Sequence, residues 1–196
     1  MSLVIAAFNN EIGVLAHDGR AKNQDGEIID EHYNKSFQVN ENVVVGYAGD
    51  AFYCDLMIGL LKDTIDLESA SVIDVYKAFR LPDEVINDLK NNISMRFIIL
   101  GKNRNSNIKC FVIDCIDGNY TMIPISRKEI DGINYVHAYN GSQGDYNDII
   151  QKTLADRIIK ETNLDHALEL GLCEVICKVA EFDDSVNANV TTISLS

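Results

Sequence analysis

Short apolar runs separated by polar turns open the chain. Residues 3–8 and 12–16 are apolar segments of strand length, joined by an Asn-Asn-Glu turn at residues 9–11. Paired asparagines tolerate the positive φ angles of a tight turn, so the pattern predicts a β-hairpin. A hairpin of this length brings the end of its second strand back beside the start of its first. We therefore expect the Asp18 carboxylate to lie next to Ser2.

The rest of the chain changes between strand-like and helix-like periodicity. Patterns typical of strands cover residues 35–40, 43–48, 95–100, 109–116, 120–125, 136–139 and 190–195. Helical spacing covers a segment that begins at Asp50, residues 70–79, a segment that begins near Pro82, and residues 145–161 and 164–182. Strands and helices come in separate groups, which indicates an α+β fold rather than repeated βαβ units. We predict a four-layer αββα sandwich, in which two antiparallel sheets pack face to face with helices on both outer faces.

Length and composition fit one globular domain. The chain has 196 residues, of which 46% are hydrophobic and 8% aromatic. This is enough to build a sizeable core, and no linker rich in Pro, Gly or Ser interrupts it. We therefore expect residues 1–196 to form a single domain.

The charge of the chain limits its partners. A net charge of −13 argues against a nucleic acid or an anionic membrane as partner. No apolar run approaches the roughly 18 residues of a membrane span, and no basic region precedes an apolar stretch as in a signal peptide. Five cysteines, an odd number at scattered positions, indicate a reducing compartment. We expect a cytoplasmic protein.

Two cysteines have a spacing that allows two interpretations. Cys173 and Cys177 are four residues apart on a predicted helix. They are either half of a metal site or two small apolar side chains in the core. No second ligand pair accompanies them, so we favour the core and expect no metal.

Four segments in chain order resemble a known family. They are Ala-His-Asp-Gly-Arg-Ala at 16–21, Lys-Ser-Phe-Gln-Val-Asn at 35–40, Gly-Tyr-Ala-Gly-Asp at 46–50 and Asn-Gly-Ser-Gln-Gly at 140–144. These segments are similar to conserved motifs of the proteasome β-type subunits and their bacterial relatives, which are N-terminal-nucleophile hydrolases. The order of elements resembles that family over nearly the whole chain. The resemblance implies the αββα fold and, for activity, peptide hydrolysis.

The resemblance also implies which groups carry the chemistry. Ser2 takes the place of the family's N-terminal threonine, and its own α-amine would act as the base once Met1 is removed. Lys35 would lie beside Ser2 and lower the pKa of the amine and hydroxyl, while Asp18 would pair with Lys35 and orient it. No pro-segment precedes Ser2 in this sequence, so we expect maturation to need only the loss of Met1.

Further positions complete the implied site. The backbone N–H of Gly49 would contribute to an oxyanion hole. Ser142 would hydrogen-bond near the amine. The family carries an aspartate three residues before a serine near its C-terminal helix, and Asp184 is the better match here by spacing, with Asn187 in the place of the serine.

Substrate and assembly follow from the resemblance in the same way. Ala21 and Tyr47 would line the substrate pocket, and the bulk of Tyr47 would narrow it. The family implies a peptide or protein substrate, no cofactor, a homo-oligomeric ring and an ATPase as a further partner to be tested. Two alternatives stay open: a catalytically inactive structural subunit, and an N-terminal-nucleophile amidohydrolase that acts on a small amide.

Overall fold

The computed structural model describes residues 2–23, 25–80, 93–116, 119–125, 129–130, 132–140 and 146–196. The helix predicted to begin near Pro82 and the loop that contains Ser142 lie outside these residues. The strands are β1 (Ser2–Phe8), β2 (Gly13–Asp18), β3 (Ala21–Lys22), β4 (Ile28–Asp30), β5 (Ser36–Asn40), β6 (Val43–Gly49), β7 (Ser94–Lys102), β8 (Ile108–Ile116), β9 (Asn119–Pro124), β10 (Glu129–Ile130), β11 (Ile133–Asn140) and β12 (Val190–Leu195). The described helices are α1 (Ala51–Thr64), α2 (Val72–Ala78), α3 (Asn147–Lys160) and α4 (Leu164–Ala180).

Two five-stranded antiparallel sheets form the centre of the fold. Sheet I has the strand order β10-β11-β1-β2-β12, and sheet II has the order β5-β6-β7-β8-β9. The predicted hairpin of β1 and β2 is present, with Phe8 opposite Gly13 and Val4 opposite His17. On its other side β1 pairs with β11 from Ser2, opposite Asn140, to Phe8, opposite Asn134. Ser2 therefore lies at the end of a central strand of sheet I.

The central strand β1 is buried on both faces, which explains why its sequence is apolar without alternation. Leu3, Ile5 and Ala7 belong to the core cluster shared with α3 and α4. Val4, Ala6 and Phe8 belong to a second cluster, shared with residues of sheet II. A third cluster joins the other face of sheet II to α1 and α2. These three apolar layers define the αββα sandwich and confirm the predicted fold class.

The two sheets approach each other closely at Gly46 of β6, which has no side chain. A Cβ atom built on Gly46 in β6 would lie 2.7 Å from Val4 Cγ1 and 2.8 Å from Leu15 Cδ1. Glycine at this position lets sheet II pack directly onto the β1–β2 hairpin. The close packing fixes how the two sheets face each other near the start of β1.

Three local predictions differ from the structure. No strand was predicted between residues 16 and 35, but this stretch contains the short β3–β4 pair, whose strand β4 is fully exposed and so carries no burial pattern. Strand β11 is longer than the predicted 136–139, because it pairs with β1 from Asn134 to Asn140 and Ile133 pairs with Ile130 of β10. The prediction that both cysteines of α4 pack in the core was wrong: Cys173 is half-buried and Cys177 is exposed. In the described ranges, no helix is both long enough and apolar enough to cross a membrane.

Candidate active site

A buried ion pair joins the two sheets near the start of β1. Asp18 ends β2 of sheet I, and Lys35 precedes β5 of sheet II. Lys35 Nζ donates to Asp18 Oδ1 at 2.7 Å, and the two residues are 1% and 0% exposed. Tyr47 N of β6 donates to Lys35 O at 2.9 Å, which fixes the backbone of Lys35 against sheet II. Each charged group is thus positioned by a different sheet.

The same carboxylate also binds the backbone next to Ser2. Leu3 N donates to Asp18 Oδ1 at 2.8 Å, and Arg20 N donates to Oδ2 at 2.9 Å. Oδ1 therefore accepts hydrogen bonds from both Lys35 and the residue that follows Ser2. This arrangement places the Asp18–Lys35 pair one peptide unit from Ser2, which is itself 6% exposed.

Burial disfavours the charged forms of the two basic side chains in this region, Lys35 and His17. It lowers the pKa of Lys35, although the adjacent Asp18 carboxylate opposes the shift. His17 lies beside the pair, with Nε2 at 3.2 Å from Ser36 Oγ and Nδ1 at 3.0 Å from the Asp18 carbonyl oxygen. Burial also lowers the pKa of His17. The neutral imidazole is therefore favoured at neutral pH.

Gly49 occupies a backbone conformation that requires glycine. It ends β6 with φ of 129°, and a Cβ atom there would lie 2.1 Å from Ser94 O. Immediately afterwards, at the residue where the helix was predicted to begin, Asp50 caps α1 by accepting a hydrogen bond from Tyr53 N at 3.3 Å. The turn from strand to helix at Gly49 is thus held by local backbone geometry.

The two adjacent aspartates after α4 lie in different environments. Asp184 is 90% exposed and lies 3.4 Å from Lys22 Nζ, so the residue chosen by spacing points to the surface. Asp183 is buried instead, and its Oδ2 accepts hydrogen bonds of 2.6 Å from both Tyr139 and Tyr146. Burial raises the pKa of Asp183, but hydrogen bonds from Ser185 and the two phenols outweigh it and lower the pKa to about 2. The buried carboxylate of this segment is therefore Asp183.

A second set of polar contacts holds the turn after Asp18. Gly19 N donates to Asn187 Oδ1 at 2.9 Å, and Asn187 Nδ2 donates to the Glu31 carbonyl oxygen at 2.9 Å. The Arg20 guanidinium makes two hydrogen bonds of 3.1 Å to the Glu31 carboxylate. Asn187 Nδ2 also donates to Glu31 Oε2 at 2.5 Å. The hydrogen bonds to the Glu31 carboxylate, from Arg20 first and Asn187 second, are the largest causes of its lowered pKa. Asn187 thus lies in direct contact with the turn that carries Asp18.

The two positions expected to line a substrate pocket are both buried. Ala21 lies on β3, and Tyr47 packs in the core between sheet II and α1 with 8% of its surface exposed. The Tyr47 hydroxyl donates to the Asn34 carbonyl oxygen at 2.9 Å. Burial, followed by the charge of Asp55, raises the pKa of Tyr47 to about 12.

The sandwich and its sheet order define a class of protein: the chain has the proteasome-like β-type fold. It is similar to the eukaryotic HslV from Trypanosoma brucei, a proteasome-type N-terminal-nucleophile protease. The two share 16% sequence identity and superimpose with a TM-score of 0.64, with 99% of each chain covered. No family model matches the chain, and no curated protein matches it. Identity at this level shows a shared fold. In the part of the chain that the structure describes, no group of three or more His, Cys, Asp or Glu residues can hold a metal ion.

Proposed function

We propose that this chain is a proteasome-like peptidase subunit whose nucleophile is the hydroxyl of Ser2, made available by removal of Met1. One observation carries the proposal: Asp18 Oδ1 accepts hydrogen bonds from both Lys35 Nζ and Leu3 N. A buried lysine–carboxylate pair bound to the backbone beside an N-terminal serine is the arrangement that N-terminal-nucleophile catalysis needs.

In the proposed reaction, Ser2 Oγ attacks the carbonyl carbon of the scissile peptide bond, and the free α-amine of Ser2 accepts the hydroxyl proton. A free α-amine has a pKa near ~8, which suits a base at neutral pH. The amine proton passes to the leaving amine as the acyl-enzyme forms, and water then hydrolyses the ester. The cationic form of Lys35, supported by Asp18, favours the neutral amine and the developing alkoxide.

The remaining predicted residues stabilise or orient the reacting groups in this proposal. The Gly49 N–H contributes to the oxyanion hole, where losing one donor typically costs ~3 kcal/mol of transition-state stabilisation. Ser142 orients the amine. We assign the supporting buried carboxylate near the C-terminal helix to Asp183 rather than Asp184, because Asp184 is exposed.

Assembly and location form part of the same proposal. We propose a homo-oligomeric ring that encloses the active sites and has an ATPase as partner, and the proteasome-like fold supports this assembly. We propose a cytoplasmic location from the five cysteines at scattered positions. Sedimentation of the purified protein tests the ring directly, because a ring has several times the mass of the 21.8-kDa chain.

The decisive experiment follows the state of residue 1 and the reactivity of residue 2. Protein from its native host is measured by intact mass, and is then treated with a peptide epoxyketone, which bonds to both the hydroxyl and the α-amine of an N-terminal nucleophile. We expect loss of Met1 and one covalent adduct on Ser2. Ser2→Ala should abolish the adduct, whereas Ser69→Ala, in an exposed surface turn, should not change it.

The other outcomes separate the alternatives. Retained Met1 would refute the peptidase and favour an inactive structural subunit, because the α-amine is then blocked. An adduct without hydrolysis of any peptide, combined with hydrolysis of small amides, would favour an amidohydrolase.

A further inference from the structure

A second contact between the sheets lies on the opposite side of β1 from the Asp18–Lys35 pair. In sheet I, β1 lies between β2, which carries Asp18, and β11. Arg96 of β7 in sheet II donates from Nη1 to the Tyr139 carbonyl oxygen of β11 at 2.8 Å. The start of β1 therefore has a contact between the sheets on each side, and each contact is made by a cationic side chain.

The strand register places this second contact beside the proposed nucleophile. Tyr139 pairs with Leu3, whose N–H donates to Asp18. The next residue along β11, Asn140, pairs with Ser2. A hydrogen bond to the Tyr139 carbonyl oxygen thus fixes the end of β11 that lies opposite Ser2.

Arg96 makes this contact from the layer between the sheets. On β7 it lies on the same face as Ile98, which packs in that layer, and it pairs with Ala48 of β6. Ser2 lies on the same face of β1 as Val4, which packs in the same layer. The side chains of Arg96 and Ser2 therefore face the same layer, at the end of the sandwich where β6 leads into α1.

Asp114 on the neighbouring strand holds the charge of the guanidinium in this layer. It pairs with Arg96 across β7 and β8, and its Oδ1 lies 3.2 Å from Arg96 Nε. Both atoms are buried and have no hydrogen-bond partner among the described residues, so this contact is an ion pair without a hydrogen bond. Burial raises the pKa of Asp114, and the charge of Arg96 opposes this shift. Asp114 thus attracts the guanidinium as a charge, whereas the hydrogen bond goes to Tyr139.

From these contacts we infer that Arg96 is a positioning residue for the proposed reaction: it fixes the end of β11 against sheet II and so keeps Ser2 aligned with the Gly49 N–H. The inference rests on the proposed function of Ser2. Ser2 belongs to sheet I and Gly49 to sheet II, so attack requires the two sheets to keep their relative position. A displacement of reacting groups by about 1 Å can lower a rate by about 100-fold.

The test compares Arg96→Met, which keeps the aliphatic bulk, with Arg96→Lys, which keeps a cationic donor. Both are made in the assembled protein with Met1 removed, and kcat and KM are measured with an aminocoumarin-tagged tetrapeptide that the wild type hydrolyses. We expect Arg96→Met to lower kcat by about 10- to 100-fold at unchanged KM, because the peptide still binds while the reacting groups lose their alignment. Arg96→Lys should recover most of the lost kcat, because one donor to the Tyr139 carbonyl oxygen restores the contact.

Two controls separate this role from the loss of an ion pair. Arg157→Met is the matched control, because the Arg157 side chain is 32% exposed against 30% for Arg96 and also binds a carboxylate. It should leave kcat unchanged. Arg96→Met is also made together with Asp114→Asn, which removes the carboxylate left without its cation. The loss of kcat should be the same in this double variant, because the contact with Tyr139 is absent from both.

Hydrogen exchange gives a measurement that does not depend on activity. Amides of residues 137–140 should exchange faster in Arg96→Met than in the wild type, because the end of β11 loses its contact with sheet II. Amides of β12, at the edge of sheet I, should exchange as before. Unchanged exchange at residues 137–140, a kcat equal to that of Arg157→Met, a loss confined to KM, or no recovery in Arg96→Lys would overturn the inference alone. No hydrolysis of any peptide and no epoxyketone adduct with the wild type would overturn the proposed function and the inference with it.

Discussion

Removing the ammonium of Lys35 tests how the two sheets are joined. Lys35→Met keeps most of the side-chain volume but leaves the fully buried Asp18 carboxylate without its cation. The carboxylate would retain two backbone donors, Leu3 N and Arg20 N. Its charge would then be stabilised by hydrogen bonds alone in a region closed to water.

The size of the effect follows from this geometry. Breaking a buried ion pair by removing one partner typically costs about 3–5 kcal/mol, because the remaining charge is uncompensated. Hydrogen bonds to a charged acceptor contribute about 1.5–3 kcal/mol each, so the two backbone donors favour the lower end of that range. We expect Lys35→Met to lose about 3 kcal/mol of unfolding free energy. A domain with a typical total of about 5–15 kcal/mol would still fold.

Urea unfolding at neutral pH measures this loss, and a double-mutant cycle assigns it to the pair. With Lys35→Met, Asp18→Asn and the double variant, we expect a coupling free energy of at least about 2 kcal/mol. Lys178→Met is the matched control, because Lys178 is 41% exposed and pairs with Glu174 at 2.8 Å on the same helix. Such a pair contributes below about 1 kcal/mol. A Lys35→Met loss no larger than that of the control would refute the reasoning.

Three further predictions address the backbone and the buried titratable groups. Gly49→Ala should lower the unfolding free energy by at least about 2 kcal/mol in urea, because φ is 129° and the new Cβ meets a backbone oxygen. Gly59→Ala, in open space within α1, should raise it by up to about 1 kcal/mol, and equal effects of the two variants would contradict the described turn. Burial lowers the pKa of His17 below its usual 6.5, so the unfolded chain binds a proton more readily than the folded chain, and wild-type stability should fall from pH 7 to 5. His17→Gln should flatten this dependence on pH, whereas His166→Gln, at an exposed position, should not. Asp183→Asn should be less stable than wild type above pH 4, and this difference should shrink as the pH falls towards 2, because the pKa of Asp183 in the folded chain, about 2, lies below the ordinary 3.8. A difference in stability that does not change with pH would contradict an ionised Asp183.

Periodicity was sufficient to predict the main elements of this fold. Strands such as β1 and β6 are buried on both faces, and helices such as α4 have one buried face, so each leaves a distinct pattern in the sequence. The β3–β4 pair leaves none, because Ile28–Asp30 is exposed on every residue. A strand whose residues are all exposed pairs through its backbone, and a hydrophobic pattern does not record it.

In the candidate site, too, contacts between residues close in sequence could be predicted, whereas contacts between residues distant in sequence could not be predicted from local patterns. The hairpin placed Asp18 near the start of β1 from local geometry, and the resemblance brought in Lys35, which is 17 residues away. Asp183 and Asp184 are adjacent, and spacing favoured Asp184. The choice depends on Tyr139 and Tyr146, which are 44 and 37 residues from Asp183 in sequence. Nothing in the local sequence distinguishes a carboxylate that meets two phenols from its exposed neighbour.

The shared acceptor at Asp18 affects how any loss of activity must be interpreted. One oxygen binds Lys35 and the backbone of Leu3, so a change to Asp18 or Lys35 alters the position of Ser2 and the stability of the sheet contact together. Activity lost in those variants therefore does not by itself identify a chemical role. Ser2 differs in this respect. Among the described residues, the side-chain hydrogen bonds that join the two sheets do not involve the side chain of Ser2. A loss of reactivity in Ser2→Ala at unchanged unfolding free energy is thus the observation that separates the chemistry of this site from the packing that supports it.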